Sequence, residues 1–248
     1  MMAALSKRLK RFAEFWWGDR GFSALLLLIL LFFFLSPFVA LSVSRFLLSI
    51  LLLFLLVSGV ATATDRRFPR IAAWVIAGIA IVFNILEDFI PSREITGLWY
   101  LSTVVFFFLL IGVLLKQVFR QGPVTSHRIR GAIAGFLLIG ITWTFIYQLI
   151  ALFIDGAFSF PASMTARPGE PAHQSTLVYY SFVTMTTLGY GDIVPVHPVA
   201  RMFAITEALI GLLYPATLLA RLVSLEIIYR NKSTDKNLPD ESERREDL

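Results

Sequence analysis

Cysteine is missing from the whole 248-residue chain, so no disulfide framework can staple it and no thiolate can hold a metal. Histidine occurs three times, never in the H-E-x-x-H spacing that sets two imidazoles on one helix face around zinc. Charge is scarce as well: Asp, Glu, Lys and Arg make up 16% of the residues, well short of what coats a soluble domain. No nucleophile–base pair and no phosphate-binding loop stands out, so an enzyme reading has no support and no cofactor is expected. Apolar residues take the place of charge, 57% of the chain, and they come in long uninterrupted runs. Such a chain buries its outer surface in lipid, and an integral membrane protein is expected.

The long runs fill 21–44, 46–64, 71–90, 98–115, 131–154 and 198–228, and a half-length run at 176–187 precedes the last. At about 1.5 Å of rise per residue, each long run spans most or all of a hydrocarbon core of about 30 Å. The fold class expected is therefore all-α, with six transmembrane helices and one re-entrant segment. Lys and Arg orient it. Eighteen of the 22 fall before the first run, between the second and third, between the fourth and fifth, or, counting Arg221, at the inner end of the last and after it. Only Arg45, Arg93, Arg167 and Arg201 fall on the opposite side. Cationic loops stay inside, so both termini are expected in the cytoplasm, with the protein multi-pass in a plasma or inner membrane. The net charge of +5 thus reflects topology and not a nucleic-acid face.

At the N-terminus, Leu5, Leu9, Phe12 and Trp16 recur at helical spacing opposite Lys7, Arg8 and Lys10, as in a helix lying on the membrane surface. The run that follows is too long for the core of a cleaved signal peptide, and an uncleaved anchor is expected. Pro161, Pro168 and Pro171 break up 155–174 into an irregular outer loop. The polar, charged stretch at 231–248 reads as a disordered cytoplasmic tail.

One segment carries the chemistry: Tyr179 to Asp192 reads Tyr-Tyr-Ser-Phe-Val-Thr-Met-Thr-Thr-Leu-Gly-Tyr-Gly-Asp. A potassium ion sheds its water only where oxygens replace the hydration shell, and rings of backbone carbonyls do this. To aim successive carbonyls at one axis, the backbone must alternate between ordinary and left-handed conformations. Glycine adopts φ > 0 at little cost, which accounts for Gly189 and Gly191 alternating with Leu188 and Tyr190. The Thr187 hydroxyl can add an oxygen below the carbonyls, and Tyr190 can pack outward to hold the tube open. Irregular backbone at membrane depth needs protein cover. A short helix from about Thr176 to Thr186, capped by Ser175, would supply it and turn the negative end of its dipole toward a cation. One chain has one such loop, so a ring calls for three identical partner subunits and a homotetramer.

Thr187-Leu-Gly-Tyr-Gly-Asp192, extended by Thr186 and Pro195, resembles the signature of the tetrameric potassium channel superfamily. The resemblance covers a helix–pore loop–helix unit over roughly 131–228. It implies K+ as the permeant ligand at Thr187, Leu188, Gly189, Tyr190 and Gly191, membrane lipids as surroundings and no nucleic acid. It further implies a hydrogen bond from Tyr179 to Asp192, where many relatives use Trp. Tyr180 and Thr186 are implied as flanking support, and Arg201 stands where a basic residue can pair with the aspartate. Gly211 falls at the inner-helix hinge position, where it either lets a gate open or merely permits close helix packing, and Leu212, Pro215 and Leu219 fall at positions lining the cavity and gate. Pro215 in mid-span should bend the helix. Glu207, a carboxyl inside an apolar run, is either a neutral or hydrogen-bonded group packed behind the loop or a proton sensor coupled to its gating.

The organisation expected is a cytoplasmic segment at 1–20, a four-helix unit resembling a voltage-sensor domain at 21–120, a pore unit at 121–230 and a tail at 231–248. A potassium-selective channel is the expected function. A weakly selective cation channel and a non-conducting modulatory subunit are the alternatives. The four-helix unit lacks what voltage sensing needs. A charge crossing the membrane contributes only about 2.3 kcal/mol per 100 mV, so a sensor stacks several cations along its fourth helix. The run at 98–115 has none, and Lys116 and Arg120 sit at its inner end. Recordings from reconstituted protein should therefore show conductance that varies little with voltage; a gating charge of several elementary charges per channel would contradict this.

Overall fold

The computed structural model describes residues 21–39, 55, 58, 67–90, 92–120, 125–161 and 171–236. They form six helices: α1 (Gly21–Val39), α2 (Arg67–Phe89), α3 (Arg93–Val118), α4 (Ser126–Phe153), α5 (Pro171–Met185) and α6 (Pro198–Lys236). Two short strands, β1 (Phe158–Ser159) and β2 (Val194–Pro195), pair antiparallel. The surface helix expected at 1–20 lies outside the described residues. So does the run at 46–64, apart from Leu55 and Ser58, which are both helical and buried.

Local chemistry sets several of the helix ends. Ser92 caps α3 by accepting from the Ile95 amide at 3.2 Å, and Thr125 caps α4 by accepting from Arg128 at 3.4 Å. Glu94 in the first turn of α3 and Lys116 in its last both complement the helix dipole. At the chain's far end, α6 continues through 231–236, a stretch expected to be unstructured, before the described residues stop.

Among the described residues three helices are long and apolar enough to cross a membrane: Arg93–Val118, Arg128–Phe153 and Pro198–Leu225. α1 and α2 carry shorter apolar stretches, Ser23–Leu35 and Ala73–Glu87.

α4 is the hub. Every residue from 138 to 148 is buried, as an apolar helix with neighbours on all sides must be. It packs against α1, α3, α5 and α6. Trp99, Tyr100 and Phe107 of α3 meet Phe145 edge-on, with centroids at 5.9–6.2 Å. Arg130 donates to Ser23 of α1, and α1 reaches α5 through the Phe33–Phe182 ring pair at 4.7 Å. Thr96 of α3 donates to the buried Glu87 of α2.

α6 is different. Only 17% of its most apolar stretch is buried, against 67% for α4, so most of its surface has no cover within this chain. It is held by a few specific contacts: Trp143 Nε1 donates to the Phe203 carbonyl at 3.2 Å, and the Tyr214 hydroxyl to the Ala132 carbonyl at 2.8 Å.

The tightest contact is at Gly211. A β-carbon there would lie 2.0 Å from the Met185 carbonyl oxygen and 2.8 Å from its carbon, both backbone atoms that cannot swing aside. On the opposite side, a β-carbon at Gly140 of α4 would come within 3.0 Å of Phe182 and Met185. The end of α5 therefore sits between two glycines. Gly211→Ala should lower stability by about 1–3 kcal/mol through overpacking. Thermal unfolding in detergent would measure this, and an unchanged midpoint would contradict the contact.

Candidate functional site

The site begins where α5 ends. Pro171, with no amide to leave unpaired, opens the helix, so Ser175 lies inside α5 rather than at its cap as expected. At the other end, the Leu188 amide donates to the Val183 carbonyl at 3.0 Å and the Thr187 amide to Thr184 at 3.0 Å. With Thr187 at φ 59°, this is the Schellman arrangement that stops a helix. Its left-handed position usually falls to glycine. A β-branched residue there is strained, by about 1–2 kcal/mol.

Beyond it the backbone alternates. Thr187, Gly189 and Gly191 have φ of 59°, 54° and 78°, whereas Leu188 and Tyr190 do not adopt positive φ. The two glycines follow the sequence expectation, and Thr187 is an addition to it. Among the described residues, no carbonyl from 187 to 191 accepts a backbone hydrogen bond. All five residues are exposed in the single chain, Leu188 at 58% and Tyr190 at 68%. A run of unpaired carbonyls is costly unless something outside the chain satisfies it.

The far end of the loop is tied back to α5. The Tyr179 hydroxyl donates to Asp192 Oδ2 at 2.7 Å, and the Ile193 amide to Asp192 Oδ1 at 3.0 Å. Ile193 is buried, and β2 pairs with β1, so that Val194 faces Ser159 and Pro195 faces Phe158. The Val196 and His197 amides both donate to the Ala157 carbonyl. Both ends of 187–192 thus rest on α5, one through the helix stop and one through Tyr179.

The remaining expected residues separate into those the structure gathers at the loop and those it does not. Arg201 does not pair with Asp192: its Nε donates to the Pro195 carbonyl at 3.0 Å, because it projects from the first turn of α6 back along the strand that leads there. Tyr180 points away from the loop and packs edge-on against Tyr147 and Phe158, joining α5 to α4. Thr186 bonds back to the Phe182 carbonyl. Leu212, Pro215 and Leu219 are exposed on α6 at spacings that share one face. α6 runs unbroken through Pro215, whose ring has no N–H to offer the Gly211 carbonyl four residues back.

Glu207 is fully buried, its two carboxyl oxygens hydrogen-bonded to the Tyr147 hydroxyl of α4 and the Ser181 hydroxyl of α5, each at 2.5 Å. Sequence reasoning missed both partners. Ser181 stood inside the motif without a role, and a tyrosine within an apolar run gives no signal of what it will meet.

Replacing Tyr179 by Phe removes one hydroxyl from Asp192. A hydrogen bond to a charged group contributes about 1.5–3 kcal/mol, so amides at 188–193 should exchange with deuterium about tenfold faster or more. Unchanged exchange would mean that this bond does not hold the loop.

The ion channel family model matches residues 135–226, which run from α4 through the loop into α6. The two pore potassium channel c of Oryza sativa subsp. japonica is 32% identical over 80 residues, covering 32% of this chain and 18% of its own. The A-type voltage-gated potassium channel KCND3 of Homo sapiens is 33% identical over 104 residues, covering 41% of this chain and 15% of its own. Protein LctB of Bacillus caldotenax is 30% identical over 88 residues, covering 36% of this chain and 64% of its own. The chain thus matches under a fifth of the two larger relatives and under two thirds of the third. With its apolar helices and an ion channel segment, the protein is a multi-pass membrane protein, and over residues 135–226 the chain is similar to ion channels, potassium channels among them.

Proposed function

We propose that the chain is one subunit of a homotetrameric, potassium-selective channel whose selectivity filter is the loop at 187–192. The observation that carries this reading is the alternation of left-handed backbone at Thr187, Gly189 and Gly191 along a run of unpaired carbonyls. Alternation turns successive carbonyls to one side of the strand, and four such strands around an axis make stacked rings of oxygen sized for a dehydrated cation. K+ binds at Thr187, Leu188, Gly189 and Tyr190, and the Thr187 hydroxyl adds the innermost oxygens. The names of the potassium channel relatives point the same way.

Three identical partners cover what one chain leaves open. The exposed face of α6, with Leu212, Pro215 and Leu219, lines the inner cavity, and the rest of its apolar surface meets neighbouring subunits and lipid. The hydrogen bond missing between Pro215 and Gly211 leaves a soft point where the lower half of α6 swings as a gate. The protein spans a cell membrane six times, with both termini in the cytoplasm. Steep voltage dependence is not part of this function: α3 carries Arg93 and Lys116 only at its ends, and Arg93 is occupied with Asp155 at 4.0 Å and the Phe153 ring.

The test is cation flux from liposomes holding the purified full chain, with K+ and Na+ compared and Gly189→Ala beside the wild type. Wild-type vesicles should release K+ well ahead of Na+. The variant, forced to hold an alanine at φ 54° at a cost of about 1–2 kcal/mol per strand, should lose that preference. Equal passage of both ions through the wild type would overturn selectivity.

A further inference from the structure

Glu207 sits at the meeting point of α4, α5 and α6, and hydrogen-bond counting bears on its proton. Its Oε2 lies 2.5 Å from the Tyr147 hydroxyl and its Oε1 2.5 Å from the Ser181 hydroxyl. Ser181 Oγ also lies 2.7 Å from the Gly140 carbonyl oxygen. A carbonyl can only accept, and a serine hydroxyl owns a single proton. If that proton goes to Gly140, the short contact between Ser181 and Glu207 needs a proton from the carboxyl itself. Tyr147 supplies the third, to Oε2. Three close oxygen pairs are then served by three protons. An ionised Glu207 leaves two protons for the three, with one pair held lone pair against lone pair.

The surroundings agree with the neutral count. Glu207, Tyr147 and Ser181 are all fully buried. The other titratable groups that face the carboxyl are phenols, Tyr147 on α4 and Tyr180 on α5. Among the described residues the one ion pair is Arg93–Asp155, so no cation compensates a charge at Glu207. A buried carboxylate without a counter-charge is far costlier than a neutral acid whose donor and acceptors are all satisfied.

We propose that Glu207 is held protonated and acts as a positioning residue, a neutral latch that joins α4, α5 and α6 and fixes the height of the loop at 187–192. Its leverage follows from the chain. Ser181 lies one and a half turns before the helix stop at Thr187, and Glu207 lies one turn before Gly211, where the Met185 carbonyl is seated. One carboxylic acid thereby ties the last turns of α5 to both of its neighbours. The effect on ion passage rests on the channel reading; the proton does not.

The experiment uses the full chain in liposomes at neutral pH. An infrared difference spectrum between wild type and Glu207→Gln should contain the C=O stretching band of a protonated carboxylic acid in the wild type. A carboxylate band in its place would overturn the proposal. In flux, Glu207→Gln should keep the wild-type preference for K+, because its oxygen accepts from Tyr147 and its amide donates to Ser181 as the acid does. Glu207→Leu fills similar space with no hydrogen bonds and should lower the preference for K+ over Na+ by about tenfold or more. If the leucine variant does not fold, Ser181→Ala, which removes only the bridge, should show the same loss. A leucine or Ser181→Ala variant as selective as the wild type would overturn the positioning role. A wild type that passes both ions alike would overturn the channel reading instead, and the infrared arm would still decide the proton.

Discussion

The Met185 carbonyl lies against the backbone of Gly211 so closely that no β-carbon fits between them, and the position of the loop at 187–192 follows from that contact. Two residues after Met185 the helix stops, and five residues later Tyr179 of the same helix has taken hold of Asp192. Wherever α5 sits, the loop sits. α5 in turn is held by Gly140 of α4 on one side and Gly211 of α6 on the other, with the Ser181–Glu207–Tyr147 bridge one to two turns further back. Backbone-to-backbone seating of this kind leaves little slack, because no side-chain rotamer can absorb a shift.

Strain at Thr187 belongs to the same design. A glycine at the left-handed position of a Schellman stop would cost less, and the chain uses glycine for the two left-handed positions that follow. Threonine stands at the end of the helix instead, next to the unpaired carbonyls. The cost is borne by the hydrogen bonds that hold Thr187 and Leu188 to α5 and by the burial of α5 behind them. Strain of this kind, maintained by its surroundings, clusters at functional sites and is rare in mere connectors.

α4 makes this seating possible. Every residue of its middle, 138–148, is buried, yet that stretch carries Thr142, Thr144, Tyr147 and Gln148 among its apolar residues. The threonine hydroxyls bond back to carbonyls of α4 itself, and Tyr147 reaches across to α6. Polar groups inside an apolar bundle specify one register where apolar packing alone would tolerate several. The peripheral helices α1 to α3 add aromatic packing against this hub. The side-chain bonds across those helices, Arg130 to Ser23 and Thr96 to Glu87, leave the loop untouched.

The sequence alone determined the parts of this protein whose physics is local. Long apolar runs favour helices, and the described helices α2 to α4 and α6 each overlap an expected run, with ends shifted by a few residues where caps and turns decide. The glycines at 189 and 191 announced left-handed backbone, since hardly another residue suits it, and Tyr179 reached Asp192 as the motif implied. Tertiary structure decided the rest. Ser175 is not a cap, because Pro171 starts the helix a turn earlier. Arg201 turns to the Pro195 carbonyl and not to Asp192, a choice set by the path of β2. The left-handed Thr187, the Met185 backbone that Gly211 packs against and the two hydroxyls facing Glu207 could not be read from composition or spacing. Each depends on which backbone or side chain from a distant part of the chain arrives beside it, and that is settled only when α4, α5 and α6 pack together.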